Sequence, residues 1–233
     1  MLSRRETWDR VAGSRRNELI GDPQRGEEEL RDLFSRLGGP PNGSRCLEIG
    51  CGTGRMTTSL GQQFEEVVAV DVSPKMIDQA RAAVAARDVS GVRFQLVPGD
   101  SLRGVPDRWA DVLVCYLVLQ HFPTKKNVLS YFAEFERVLA PGGEAFVQLP
   151  LLAPHLKARA LRAIRGAAVR LQAPVSTSPR CKPSYRGFRL TTDELRSALS
   201  GLMLEEVEVH RDASSPYRFC EEVFLRLRRP IDL

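Results

Sequence analysis

Short apolar runs alternate along the chain with segments whose apolar residues recur every three to four positions. The run Val67-Val68-Ala69-Val70 is typical of a strand buried on both faces of a sheet. Residues Leu30, Leu33, Phe34 and Leu37 instead follow helical spacing. This alternation predicts an α/β fold. The predicted strands are 45–49, 67–70, 92–97, a run from 111, 144–149, 203–210 and 219–228, and the predicted helices are 4–18, 27–37, 55–63, 74–86, 131–139 and 193–199.

A glycine-rich turn follows the first predicted strand. Gly50, Gly52 and Gly54 alternate there, directly after Glu48 and before a predicted helix. Glycine allows sharp bends and a close approach of the backbone to a ligand, and we expect the amides of the turn to point toward that ligand. The spacing differs from the Gly-x-Gly-x-x-Gly of dinucleotide sites. The turn therefore predicts a small-molecule cradle, although such a turn also serves simply to join a strand to a helix.

An acidic residue ends the second predicted strand. Asp71 lies 17 residues beyond Gly54, at the edge where open α/β sheets bind ligands. A carboxylate there can accept hydrogen bonds from both hydroxyls of a ribose. The alternative role is a helix cap, but Ser73-Pro74 already supplies the start of the next helix. We therefore predict that Asp71 binds ribose.

The pattern Glu48-x-Gly50-x-Gly52-x-Gly54, followed by Asp71, resembles the first motifs of the class I S-adenosylmethionine (SAM) dependent methyltransferases. The turn Leu-Ala-Pro-Gly-Gly at 139–143 is also frequent in that family. The resemblance is specific over residues 44–150 and looser to the C-terminus. It implies a doubly wound, mostly parallel seven-stranded sheet with a C-terminal antiparallel hairpin and helices on both faces. It also implies SAM as cofactor and S-adenosylhomocysteine (SAH) as product, with neither NAD nor a metal.

The resemblance also assigns further residues to the cofactor. Val72 and Met76 are expected to contact the adenine face. Asp100 is expected to contact the adenine amino group, with Ser101 beside it. Tyr116 lies at the end of the fourth predicted strand. The cofactor-binding residues implied are Glu48, Gly50, Cys51, Gly52, Gly54, Asp71, Val72, Met76, Asp100, Ser101 and Tyr116. The side chain of Cys51 is expected to pack and not to act as a nucleophile, because no adjacent base accompanies it.

His121 is the candidate general base, because it follows the fourth strand on the side where an acceptor arrives and its ordinary pKa suits proton transfer near neutrality. The competing role is packing beside the cofactor. Tyr116, Tyr185 and Tyr217 are alternative polar groups. Trp8, on a helix expected to fold over the cofactor, either lines the acceptor pocket or anchors that helix.

Residues 151–190 form a predicted basic insertion, since no acidic residue occurs between Glu144 and Asp193. Its predicted helix is either a site of acceptor recognition or a solvated helix. The apolar face of that helix comprises Leu161, Ile164, Ala168 and Leu171.

Composition sets wider limits. The 233 residues suit one domain, divided here into an N-terminal helical cap (1–43), a SAM-binding core (44–150), the basic insertion (151–190) and a C-terminal helix and hairpin (191–233). Five scattered cysteines and three separated histidines disfavour a zinc site or disulfide framework and suit a cytoplasmic location. No apolar leader or membrane-length run is present. The net charge of +5 is mild, compatible with peripheral membrane contact and weak support for nucleic acid.

The sequence therefore predicts methyl transfer to the oxygen or nitrogen of a small molecule. No Asn-Pro-Pro-Tyr, Asp-Pro-Pro-Tyr or Pro-Cys segment follows the fourth strand, which disfavours the DNA-adenine, protein-glutamine and cytosine-C5 branches. Two alternatives stay open, an RNA methyltransferase that uses the basic insertion and a SAM-binding protein without turnover. The oligomeric state is not predicted.

Overall fold

The computed structural model of the protein describes residues 3–13, 22–152, 164, 187–199, 201–210 and 220–231. Within these residues seven strands form one sheet in the order β3-β2-β1-β4-β5-β7-β6. Strands β1 to β5 pair in parallel, and β7 pairs antiparallel with both β5 and β6. The strands are β1 (Arg45–Ile49), β2 (Glu66–Asp71), β3 (Val92–Leu96), β4 (Ala110–Cys115), β5 (Leu139–Leu152), β6 (Met203–His210) and β7 (Cys220–Arg228). The predicted sheet is confirmed.

Helices cover both faces of the sheet. One face buries Val67, Val112 and Phe146 against the helices over 23–36 and 57–63. The other face buries Leu47 and Leu113 beneath the helix that follows β4. Burial on both faces explains why the central strands are continuous apolar runs. The described helices are α1 (Arg4–Ala12), α2 (Pro23–Arg36), α3 (Thr57–Gln63), α4 (Pro74–Ala85), α5 (Lys125–Val138) and α6 (Thr192–Ala198), with a 3₁₀ turn at Leu119–His121.

Several predicted helix boundaries were wrong. The first helix, expected over 4–18, ends at Ala12 because Gly13 lies at its C-cap. The second helix, expected over 27–37, starts earlier, at Pro23, because the Asp22 side chain caps it by accepting a hydrogen bond from the Gln24 amide. In the same way Thr124 caps α5, whose first residue, Lys125, lies six residues before the predicted start at 131.

Two further differences lie around the turns. Helix α3 begins at Thr57 and not at 55, because residues 52–56 are still part of the glycine turn. Strand β5 runs over Leu139–Leu152 and not only 144–149. At its start Leu139 pairs with Ala110 of β4, before a register shift between Ala110 and Val112, and at its end residues 150–152 pair with β7.

The predicted basic insertion lies almost entirely outside the described residues. Of the apolar face assigned to its helix, the structure describes Ile164, which is helical and 64% exposed. Leu151 and Leu152 extend β5, and Leu152 donates a hydrogen bond to the Leu190 carbonyl where the chain returns. No helix in the described part is long and apolar enough to cross a membrane.

Candidate functional site

The glycine turn lies at the carboxyl end of β1, and Gly50 and Gly52 have different surroundings in it. Gly50 has φ +69°, and a Cβ on it would lie 2.5 Å from a methyl carbon of Val118. Gly52 has φ +54°, yet no heavy atom lies within 4 Å of the place its Cβ would take. Gly50 is therefore needed for packing, whereas Gly52 borders open space of the kind a bound ligand fills.

The amides of this turn differ from the sequence prediction. Those of Gly50 and Cys51 donate to the Val70 carbonyl, at 2.8 and 3.0 Å, and that of Gly54 donates to the Cys51 carbonyl. The expectation that these three amides point toward a ligand was therefore wrong, because two of them bond to β2 and the third bonds within the turn. The hydroxyl of Thr53 differs, since it is buried and has no hydrogen-bond partner among the described residues. A buried hydroxyl without a partner suits a site that receives a polar ligand.

The Asp71 side chain, at the end of β2, links that strand to the glycine turn after β1. Its carboxylate is 9% exposed and accepts hydrogen bonds from the amides of Gly52, at 3.0 Å, and Ser73, at 2.9 Å. Ser73 caps α4 itself by accepting from the Met76 amide, so Asp71 is not required as that cap. Burial raises the pKa of Asp71, although its backbone hydrogen bonds oppose the shift. Each carboxylate oxygen has a further lone pair available for a hydroxyl donor.

Glu48 is the second buried acid of the cradle. Its side chain accepts a 2.6 Å hydrogen bond from the Thr57 hydroxyl. Burial raises its pKa to about 7, and the nearby charge of Asp71 acts in the same direction. Glu48 is therefore poised to change protonation near neutrality. Burial likewise raises the pKa of the Cys51 thiol, which supports its interpretation as a packing residue.

A cavity beside the turn brings Glu48 together with Arg55 and Tyr116. Arg55 forms an ion pair with Glu29 of α2, and burial lowers the pKa of its guanidinium. Burial raises the pKa of Tyr116, with Glu222 of β7 adding to the shift. The cavity thus presents a buried cation, a buried acid and a phenol at one end of the cradle. Its lining residues are Glu48, Ile49, Gly50, Cys51, Arg55, Met56, Val114 and Tyr116.

The other end of the cradle contains the residues predicted to contact adenine. Asp100 is exposed, and its carbonyl accepts a hydrogen bond from the Ser130 hydroxyl. Val72 lies beside Gly99, where a Cβ would approach both Val72, at 2.8 Å, and the Arg4 guanidinium, at 2.9 Å. Arg4, from α1, therefore lies in the region predicted for adenine. Its Nη1 is buried without a hydrogen-bond partner in the described part, and its guanidinium lies 4.7 Å from the centroid of Phe122.

Met76 is buried beneath α1. It packs in a small cluster with Val11 and Ala12, against which Trp8 also packs. The Ser73 hydroxyl and the Gln79 side chain also bond to α1, at Asp9 and the Ala12 carbonyl. Contact of Met76 with adenine stays a prediction, and the observed role of Met76 is to hold α1 against α4.

The structure brings Trp8 and His121 together. Their rings meet edge to face, with centroids 4.8 Å apart. The Nε2 of His121 lies 3.2 Å from Nε2 of Gln120, which also lies 3.2 Å from the Leu117 carbonyl. A nitrogen facing a carbonyl must be the amide NH₂ group, so Gln120 donates and His121 Nε2 accepts. This hydrogen bond occupies the lone pair that a general base would use.

Sequence reasoning missed Arg4, Gln148 and Glu222 as members of this site. Gln148, on β5, is 1% exposed and bonds both Leu117 and Glu222. The sequence signal for Gln148 was its place as a polar residue inside the apolar strand segment 145–149, because a buried amide requires hydrogen-bond partners. Among the described residues no group of three or more His, Cys, Asp or Glu side chains could hold a metal ion.

The geometry fits comparisons with known proteins. Residues 47–147 match the family described as "Methyltransferase domain". The ubiquinone biosynthesis O-methyltransferase of Xylella fastidiosa is 28% identical over 170 residues, which cover 72% of this chain and 64% of the relative. Human thiol S-methyltransferase TMT1B is 34% identical over 128 residues, which cover 52% and 49%. The chain thus spans less than two thirds of these curated relatives.

A solved structure agrees on the fold. The N-methyltransferase NodS of Bradyrhizobium japonicum, crystallised with SAH, superposes with a TM-score of 0.63 at 18% identity, covering 97% of this chain and 98% of that one. This superposition and the domain match agree with the α/β fold found here. Residues 47–147 therefore form a domain of the SAM-dependent methyltransferase family, and the fold of the described residues is that of class I.

Proposed function

We propose that the chain transfers the methyl group of SAM to an oxygen or nitrogen of a small-molecule acceptor. The observation that carries the proposal is the pairing of Asp71 with Gly52, where a buried carboxylate borders the open side of the glycine turn. Curated relatives named for O-methyl and thiol S-methyl transfer support a small acceptor. SAM bound here would supply an electrophilic methyl group on its sulfonium.

The residues of the site divide into two groups by chemistry. Asp71 would accept hydrogen bonds from the ribose, with Val72, Asp100 and Ser101 on the adenine side. At the other end, the Arg55 guanidinium is placed to balance the carboxylate of a methionyl group, in competition with its present partner Glu29. Tyr116, which directly follows β4, lines the same cavity.

Alignment is the main source of rate in this proposal. A cofactor fixed at both ends leaves one direction of approach to the acceptor, and such positioning replaces the entropy cost of a bimolecular encounter. Trp8 packs edge to face on His121 at the end of the 3₁₀ turn, which would place both rings on the α1 side of the site. A base is needed only where the acceptor is protonated at neutral pH.

We expect His121→Ala to lower kcat and SAH affinity by less than about tenfold, the scale of one or two lost hydrogen bonds. The reason is that Nε2 already accepts from Gln120, so the ring holds the wall of the site. The acidic limb of the pH–rate profile should persist. Catalysis by His121 stays a prediction, and a 10²- to 10⁴-fold fall in kcat with loss of that limb and unchanged SAH affinity would establish it.

The proposal is tested by incubating the chain with SAM and a panel of phenols, amines, thiols and a short RNA, and measuring SAH formation. We expect turnover with a small molecule, insensitive to salt. Turnover confined to RNA, with affinity that falls steeply as salt rises, would favour the RNA methyltransferase alternative. Binding of SAH without turnover on any acceptor would favour a SAM-binding protein. Absence of SAH binding would refute the site itself.

A further inference from the structure

Leu117, the second residue after β4, has an unusual backbone conformation. Its φ is +59°, in the left-handed region that side chains disfavour for steric reasons. Two other described non-glycine residues share this region, Asp88 and Arg108, and both are polar. A half-buried leucine gains no local hydrogen bond from its own side chain there. Such a conformation persists only where surrounding contacts impose it.

Two glutamine side chains supply those contacts. Oε1 of Gln148 accepts a 3.0 Å hydrogen bond from the Leu117 amide, and Nε2 of Gln120 donates a 3.2 Å hydrogen bond to the Leu117 carbonyl. Both polar groups of one residue are therefore held by side-chain amides. Gln148 and Gln120 are 1% and 6% exposed, so water does not compete freely for these bonds. We call this pair the glutamine clamp.

The orientation of the Gln148 amide is fixed by a second partner. Its Nε2 donates a 2.7 Å hydrogen bond to Oε1 of Glu222 on β7. Because the carboxylate can only accept, Nε2 must face Glu222 and Oε1 must face the Leu117 amide. The pairing of Cys115 with Val147 explains the reach, since it brings Gln148 beside the segment that leaves β4.

The clamped residue lies between two parts of the cofactor site. Tyr116, before it, lines the cavity with Glu48 and Arg55. Val118, after it, is the side chain against which Gly50 packs. A change in the Leu117 backbone would therefore move both a lining residue of the cavity and the packing partner of the glycine turn.

We propose that Gln148 and Gln120 are positioning residues that hold Leu117 in its left-handed conformation and thereby fix the wall of the cofactor site. The inference rests on the proposed function, because that wall matters only if the cradle binds SAM or SAH. In this proposal the Gln148 amide acts by holding the Leu117 backbone and not by filling space.

Gln148→Met tests this, because methionine keeps the length and volume of the side chain but cannot accept from the Leu117 amide. We expect roughly five- to tenfold weaker SAH binding by calorimetry, the scale of one lost hydrogen bond. Leu117→Gly provides the reference background for this loss, since glycine adopts positive φ without a steric penalty. The double variant should recover to within about threefold of Leu117→Gly. The control is Gln95→Ala. The side-chain amide of Gln95 donates to the Arg103 carbonyl beyond β3.

Two results would overturn the proposal. One is unchanged SAH affinity in Gln148→Met, and the other is a double variant as weak as Gln148→Met, which would mean that Gln148 acts by packing. Amide hydrogen exchange at Leu117 separates this failure from failure of the proposed function. In the cofactor-free chain, exchange at Leu117 should be slow in the wild type and faster in Gln148→Met, whether or not SAH binds. Equal exchange rates in the two chains would exclude the clamp.

Discussion

Replacing Asp71 with alanine is expected to weaken SAH binding by about 10- to 150-fold, which corresponds to about 1.5–3 kcal/mol for hydrogen bonds to a charged group. The carboxylate is almost fully buried, and the amides of Gly52 and Ser73 hold it in place. A ribose would therefore meet an acceptor that needs no reorganisation. Calorimetry with SAH on both chains measures the difference.

Asp78→Ala is the matched control for this result. Asp78 lies on α4, close in sequence to Asp71, but its side chain is exposed. The control should bind SAH like the wild type, and a thermal melt of each chain verifies that the fold is retained. Equal SAH affinity in Asp71→Ala and the wild type would remove Asp71 from the ribose site.

The sheet could be predicted because its signals are local. Runs such as Val67-Val68-Ala69-Val70 are apolar on both faces, and the glycine turn marks where the first strand ends. The acid at the tip of β2 follows from chain order, since consecutive parallel strands end at the same edge. The fold and the cofactor cradle therefore required no knowledge of distant contacts.

Helix starts were harder to predict, because the same residue types begin and end helices. Helix α2 begins four residues before its predicted start at 27, because Asp22 caps it and Pro23 occupies its first turn. Thr124 caps α5 by accepting from the Asn127 amide, in a segment with little apolar periodicity. Capping depends on side-chain hydrogen bonds that sequence patterns show only weakly.

The polar contacts around Leu117 could not be predicted, because they join residues far apart in sequence. Gln148 and Glu222 are 74 residues apart and meet only because β5 pairs with β7. Arg4 likewise reaches Gly99 and Phe122 only after α1 has packed on α4. Hydrophobic patterning places strands and helices, but it carries no information on which buried amides pair.

Replacing Glu48 with glutamine is expected to remove a pH-dependent loss of stability. Burial raises the pKa of Glu48 from 4.5 to about 7. Between these values the folded chain keeps a proton that the unfolded chain has lost, so the wild type loses stability as pH rises through this window. The loss levels off above about pH 8 and amounts to roughly 3 kcal/mol, at about 1.4 kcal/mol per pKa unit. Glutamine still accepts from the Thr57 hydroxyl and cannot ionise.

The measurement is the free energy of unfolding by urea for both cofactor-free chains between pH 5 and pH 8.5. Glu48→Gln should gain stability relative to the wild type as pH rises, with most of the gain between pH 5 and pH 7. Part of the decline should remain in the variant, because burial also raises the pKa of Asp71. Glu66→Gln, which removes an exposed carboxylate on β2, should follow the wild type. Parallel profiles for the wild type and Glu48→Gln would show that Glu48 ionises at an ordinary pKa, and its burial would then have to be offset by contacts other than the Thr57 hydroxyl.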